Sequence, residues 1–144
     1  MKKLSKSLED YIEAIYIASN GKDFCRVKDI QKILNVSKPS IVNALSILKE
    51  DGLISQEKYG YISLTKDGER KAKNVYKKHM IITEFVEKIF ELENVDAQKI
   101  ACEIEHIVDK NIYERMEKIS KNFNERTKRV LYGEKDETDR VKGR

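Results

Sequence analysis

Apolar residues recur at helical spacing from the start of the chain. Leu8, Tyr11, Ile12, Ile15 and Tyr16 form one stripe at intervals of three, four, seven and eight residues. Ser7 is the expected cap of that first helix, with Asp10 as the acidic member of a capping box. The polar stretch SNGKD at 19–23 ends it. Val27, Ile30, Ile33 and Leu34 mark a second, shorter amphipathic helix, and Asn35, Val36 and Ser37 make a turn with Val36 tucked towards the core. Ser37 caps a third helix. Pro39 falls in its first turn, where a missing backbone N–H costs nothing. Ile41, Leu45 and Leu48 give this helix its buried face, and Gly52 supplies the left-handed stop.

The period then changes. Ile54, Ile62 and Leu64 predict two strands of a hairpin, with Tyr59 and Gly60 near its tip. Thr65 is the expected cap of a long helix over 66–90, and Asp96 that of the next. A further helix is expected over 112–123. Residues 133–144 are charged and punctuated by glycine, so a frayed tail is expected there. No internal repeat is visible. The fold class is mainly α with one small β-hairpin. A winged helix-turn-helix covers 1–73, a helical second domain covers 74–132, and the tail follows.

A winged helix-turn-helix suits DNA for a geometric reason. Its third helix fits a major groove about 12 Å wide. The residues at that helix's start reach base edges, and the hairpin reaches neighbouring backbone. Here those residues are Ser37, Lys38, Pro39, Ser40 and Asn43, with Lys58 on the wing. Ser and Asn can read bases or hold phosphates, and Lys38 and Lys58 can neutralise phosphates. Charge agrees: the whole formal excess of +4 lies in residues 1–73, while 74–144 balance to zero. The alternative is a winged helix used to bind protein.

Composition narrows the class further. With 144 residues there is room for one ordinary domain or two small ones, and 40% hydrophobic residues suffice for a core. The charged fraction of 38% fits helices with wet outer faces. No apolar run approaches the roughly 20 residues that span a bilayer. The N-terminal segment lacks the apolar centre of a signal peptide, so a cytoplasmic protein is expected. Cys25 and Cys102 lie far apart and form no CxxC pair; a reducing compartment disfavours a disulfide between them.

The stretch IACEIEHIVDK, residues 100–110, raises a chemical question. On a continuous helix Cys102, Glu105 and His106, at i, i+3 and i+4, share one face, away from Ile100, Ile104, Ile107 and Val108. Thiol, carboxylate and imidazole together are metal ligands. His79 on the long helix, and Asp10 and Glu13 on the first, are further donors. Singly, each has an ordinary reading: a surface histidine, a cap, a solvated glutamate. Two other uses stay open at this level. One is a metal-independent regulator sensing a small molecule or oxidation through Cys102. The other is a thiol enzyme pairing Cys102 with His79 or His106, although no oxyanion loop or substrate motif accompanies them.

The segments LEDYIEAIY, RVKDIQKILNVSKPSIVNALSILKEDGLI, YGYISLTKDGERKA, KKHMIITEF and ACEIEHIVDK carry a family likeness. From about Ser7 to Asn122 the chain resembles the diphtheria-toxin repressor family of metal-dependent regulators, which includes the manganese transport regulators. The resemblance implies a non-enzymatic repressor that binds double-stranded operator DNA as a homodimer when loaded with Fe(II) or Mn(II). It makes the second domain one for metal binding and dimerisation. Carried over, the metal ligands fall on Asp10, Glu13, His79, Cys102, Glu105 and His106. Asp10 and Glu13 match the manganese branch, whereas Cys102 matches the iron branch. Thr83 stands where a further carboxylate often sits. The implied architecture is the short one, without the SH3-like domain of longer members.

Overall fold

The computed structural model describes residues 3–20, 22–58 and 60–133. The expected tail lies, all but Gly133, outside the described residues. The chain separates into two compact units, residues 1–77 and 78–144.

The first unit begins with α1 (Lys6–Ala18), α2 (Val27–Leu34) and α3 (Lys38–Glu50). It continues with β1 (Ile54–Gln56), β2 (Ile62–Leu64) and the opening turns of α4 (Lys66–Phe90). The cap of α1 is Ser5, not Ser7: its hydroxyl accepts the Leu8 N–H. Leu4, just outside, is buried in the core, and that anchor draws the helix start earlier. Ser37 caps α3 as expected, and Gly52, at φ 71°, ends it. Ile12, Ile15, Ile30, Ile41, Leu48 and Ile62 are fully buried together. Each such side chain stabilises the fold by roughly 1.5–3 kcal/mol.

β1 and β2 pair antiparallel, with Ile54 opposite Leu64 and Gln56 opposite Ile62. Cys25 adds a separate antiparallel bridge: it exchanges both backbone hydrogen bonds with Ile62, at 2.9 and 2.8 Å. The wing is thereby fastened to the segment just before α2. α4 starts under the wing, capped by Thr65, whose hydroxyl accepts the Gly68 N–H and donates to the Gly52 carbonyl. Gly68 is needed there, since a Cβ would lie 1.8 Å from the Leu53 carbonyl oxygen.

The second unit holds the rest of α4 with α5 (Asn94–Ile104), α6 (Lys110–Asn122) and α7 (Glu125–Tyr132). α5 starts after Glu93, and Asp96 sits in its first turn, where a negative charge complements the helix dipole, rather than at the cap. α6 is capped by Asp109 and starts at Lys110, two residues before the expected start. α7 was not anticipated. The core here is small: Ile82, Val86, Ala97 and Ala101, with Phe85, Leu92, Ile104, Val108 and Met116 packed against it. Val95, Ile107, Ile112, Ile119, Val130 and Leu131 are exposed.

Candidate metal centre and DNA interface

The stretch IACEIEHIVDK does not lie on one continuous helix. α5 ends at Ile104, Glu105 is its C-cap, and His106 lies in the turn that follows. The Ile107 and Val108 amides both bond back to the Ile104 carbonyl, so the chain turns instead of running on. Ile107 is consequently 82% exposed rather than part of an apolar stripe.

That turn brings chemistry together. The Glu105 side chain is 2% exposed. Its Oε2 lies 2.6 Å from His79 Nδ1 on α4, and its Oε1 lies 3.3 Å from His106 Nε2. The second approach is poorly directed, and Oε1 is buried without a hydrogen-bond partner. A buried carboxylate requires compensating positive charge. One flanked by two imidazoles, with an oxygen still unsatisfied, has the donor chemistry of a divalent-metal site. The residues therefore fit such an ion. Cys102, three residues before Glu105 on α5, is exposed and offers a softer donor.

Thr83 is buried, and its hydroxyl donates to the His79 carbonyl at 2.8 Å. The hydroxyl is thus committed to the helix backbone one turn from His79. In the first unit, Asp10 and Glu13 both lie on α1; Asp10 is half-buried and Glu13 is buried.

The residues expected to face DNA, Ser37, Lys38, Pro39, Ser40, Asn43 and Lys58, are all exposed. Ser37 Oγ also lies 2.8 Å from Ser40 Oγ, so Ser37 builds the helix start as well as facing out. Arg26 was missed in the sequence reading. Its guanidinium donates to the Tyr61 hydroxyl at 2.6 Å and lies 4.8 Å from that ring's centroid. Phe24 meets the same ring edge-on at 4.4 Å. The signal was present in the dipeptide Cys25-Arg26 ahead of α2 and in Tyr61 on the wing, but nothing in either period pairs them.

A winged helix joined to a helical unit that gathers His79, Glu105 and His106 defines a metal-responsive DNA-binding regulator. Comparison with known proteins agrees. Residues 3–62 match the N-terminal DNA binding domain of the iron dependent repressors, and residues 65–129 match their metal binding and dimerisation domain. The chain belongs to the iron dependent repressor family. It is 30% identical over 125 residues to an uncharacterized HTH-type transcriptional regulator of Methanocaldococcus jannaschii, covering 85% of this chain and 99% of that one. It is 34% identical over 101 residues to the HTH-type transcriptional regulator MntR of Lysinibacillus sphaericus, covering 70% of each. Among solved structures, the manganese regulator SloR superposes with a TM-score of 0.68 at 27% identity, over 78% of this chain and 52% of SloR. The chain thus spans about half the length of that structure. No described helix is long and apolar enough to cross a membrane.

Proposed function

We propose that this chain is a cytoplasmic repressor, not an enzyme, that binds operator DNA as a homodimer when loaded with Fe(II) or Mn(II). The observation that carries this reading is the buried Glu105 carboxylate, flanked by His79 and His106 and unsatisfied at Oε1. The holding residues are His79, Cys102, Glu105 and His106, with Asp10 and Glu13 as the ligands from the DNA-binding domain. A divalent cation there supplies the positive charge that three carboxylates need when they are held together.

Without that charge, Asp10, Glu13 and Glu105 repel one another on approach, and α1 is less firmly held. α1 shares one core with α2 and α3 through Ile12, Ile15, Ile30 and Ile41. Restraint on α1 is thereby restraint on the recognition helix. Lys38, Lys58 and Arg26 neutralise phosphates, while Pro39, Ser40 and Asn43 face the groove. The exposed apolar residues of α5, α6 and α7 pack against a second copy, which presents two recognition helices about one DNA turn, roughly 34 Å, apart. A hundredfold gain in DNA affinity requires about 2.7 kcal/mol of coupling.

The test is an anaerobic titration with Mn(II) and Fe(II) while operator binding is followed at one fixed salt concentration, since phosphate contacts make affinity salt-dependent. Chelated protein is expected to bind at least tenfold more weakly than loaded protein. Equal affinity in the two states would overturn the reading. Glu105→Gln and His106→Ala are expected to abolish the metal response with helix content retained. Ser40→Ala and Asn43→Ala are expected to keep metal binding and lose DNA affinity.

A further inference from the structure

The outward face of α3 is polar except at Pro39, in its first turn, and at Val42. Ile41, Ala44, Leu45 and Leu48 turn into the core. Lys38, Ser40, Asn43 and Ser46 are exposed, and so is Val42, at 52%. Val42 stands one turn after Pro39 and one turn before Ser46, beside Asn43. Single exposed apolar residues are ordinary on protein surfaces. This one lies on the surface that a winged helix presents to the major groove, among Lys38, Ser40, Asn43 and Ser46, which are suited to hydrogen bonding or to phosphate.

The thymine 5-methyl is the apolar landmark among the base edges of the major groove. A β-branched side chain in a helix is held in essentially one χ1 rotamer. The two Val42 methyl groups are therefore presented in a fixed direction, and contact with them costs little ordering. A serine or asparagine at this position has polar atoms to satisfy against a methyl group; valine has none.

We infer that Val42 contacts the 5-methyl group of one thymine in each operator half-site, and so sets the preference for thymine at that base pair. The inference rests on the DNA-binding reading above. It adds a specificity-determining residue to the recognition helix and a chemical requirement to the operator.

The experiment uses the full-length, Mn(II)-loaded protein at fixed salt. Its operator is first enriched from a random double-stranded library. Each thymine of the enriched site is then replaced in turn by deoxyuridine, symmetrically in both half-sites. This deletes the methyl group and keeps the base pair and the O4 acceptor. One replacement is expected to weaken wild-type binding about fourfold per half-site, the worth of one buried methyl-sized group. Val42→Ala is expected to abolish that loss at the same position and to leave losses at other thymines unchanged. The position is exposed and alanine is the better helix former, so this variant folds. A protein that enriches no sequence overturns the DNA-binding reading and this inference together. Enrichment followed by a flat deoxyuridine scan, or a Val42→Ala profile equal to wild type, overturns the inference alone.

Discussion

An ionised carboxylate costs several kcal/mol to bury unless something cancels its charge, and Glu105 is buried beside two imidazoles. The two cysteines meet opposite fates. Burial pushes the Cys25 thiol up to about 11, with a lowering contribution from Ser19 and a small further rise from Asp29. Cys102 is exposed. Iodoacetamide at neutral pH is therefore expected to alkylate Cys102 and spare Cys25. Mn(II) or Fe(II) is expected to slow alkylation of Cys102; an unchanged rate in loaded protein would remove Cys102 from the ligand set. Cys102→Glu is expected to shift the iron-to-manganese activation ratio towards manganese, read by anaerobic DNA binding. Cys25 has a consequence for pH. Its folded-state pKa is raised, so its stabilising contribution is complete below the unfolded value of 9.0 and is lost as pH climbs towards about 11. Urea unfolding at pH 8 and pH 10.5 is expected to show a fall in stability that is smaller in Cys25→Ala. At this scale the sequence was readable where a side chain's role is set by its near neighbours in the chain, as at Ser37, which caps α3. It was unreadable at Cys25, because the bond that fixes it runs to Ile62, 37 positions away.

Element boundaries show where local chemistry is overruled. Ser5 and Ser7 offer the same hydroxyl, and the choice falls to Ser5 because Leu4 has a place in the core. α5 stops at Ile104 although the helical period runs on, and Glu105 and His106 meet only because of that turn. α7 escaped notice because none of its residues is buried, so it carries no stripe to read. The three-helix core and the hairpin were legible, since each pairs a clear period with a clear stop. The joint between wing and α4 was not. There Leu53 and Gly68 touch backbone to Cα, a closeness no pattern of apolar residues announces. Gly68→Ala is expected to lower stability by more than about 2 kcal/mol, because a Cβ would collide with backbone rather than with a movable side chain. Denaturant unfolding measures it, and a loss below 0.5 kcal/mol would show that the wing can shift to make room.

Across the whole molecule the two units are unequally provided. Leu4, Tyr11, Ile12, Ile15 and many others fill the first core. Ile82, Val86, Ala97 and Ala101 are the buried members of the second, beneath an exterior that includes Val95, Ile112, Ile119 and Val130. A helical unit with so small a core is expected to draw part of its stability from association. Its unfolding midpoint is therefore expected to rise with protein concentration, a hundredfold increase adding about 2.7 kcal/mol of stability per dimer. Calorimetry across that range, with sedimentation at each end, measures it; a midpoint independent of concentration would mean that the second unit is stable alone. The dependence reaches beyond the test tube. If folding and pairing are one event, operator occupancy climbs faster than in proportion to gene dosage, and halving expression removes more than half of the repression. A thin core would then give the promoter a threshold, set by how much regulator a cell makes as well as by how much metal it holds.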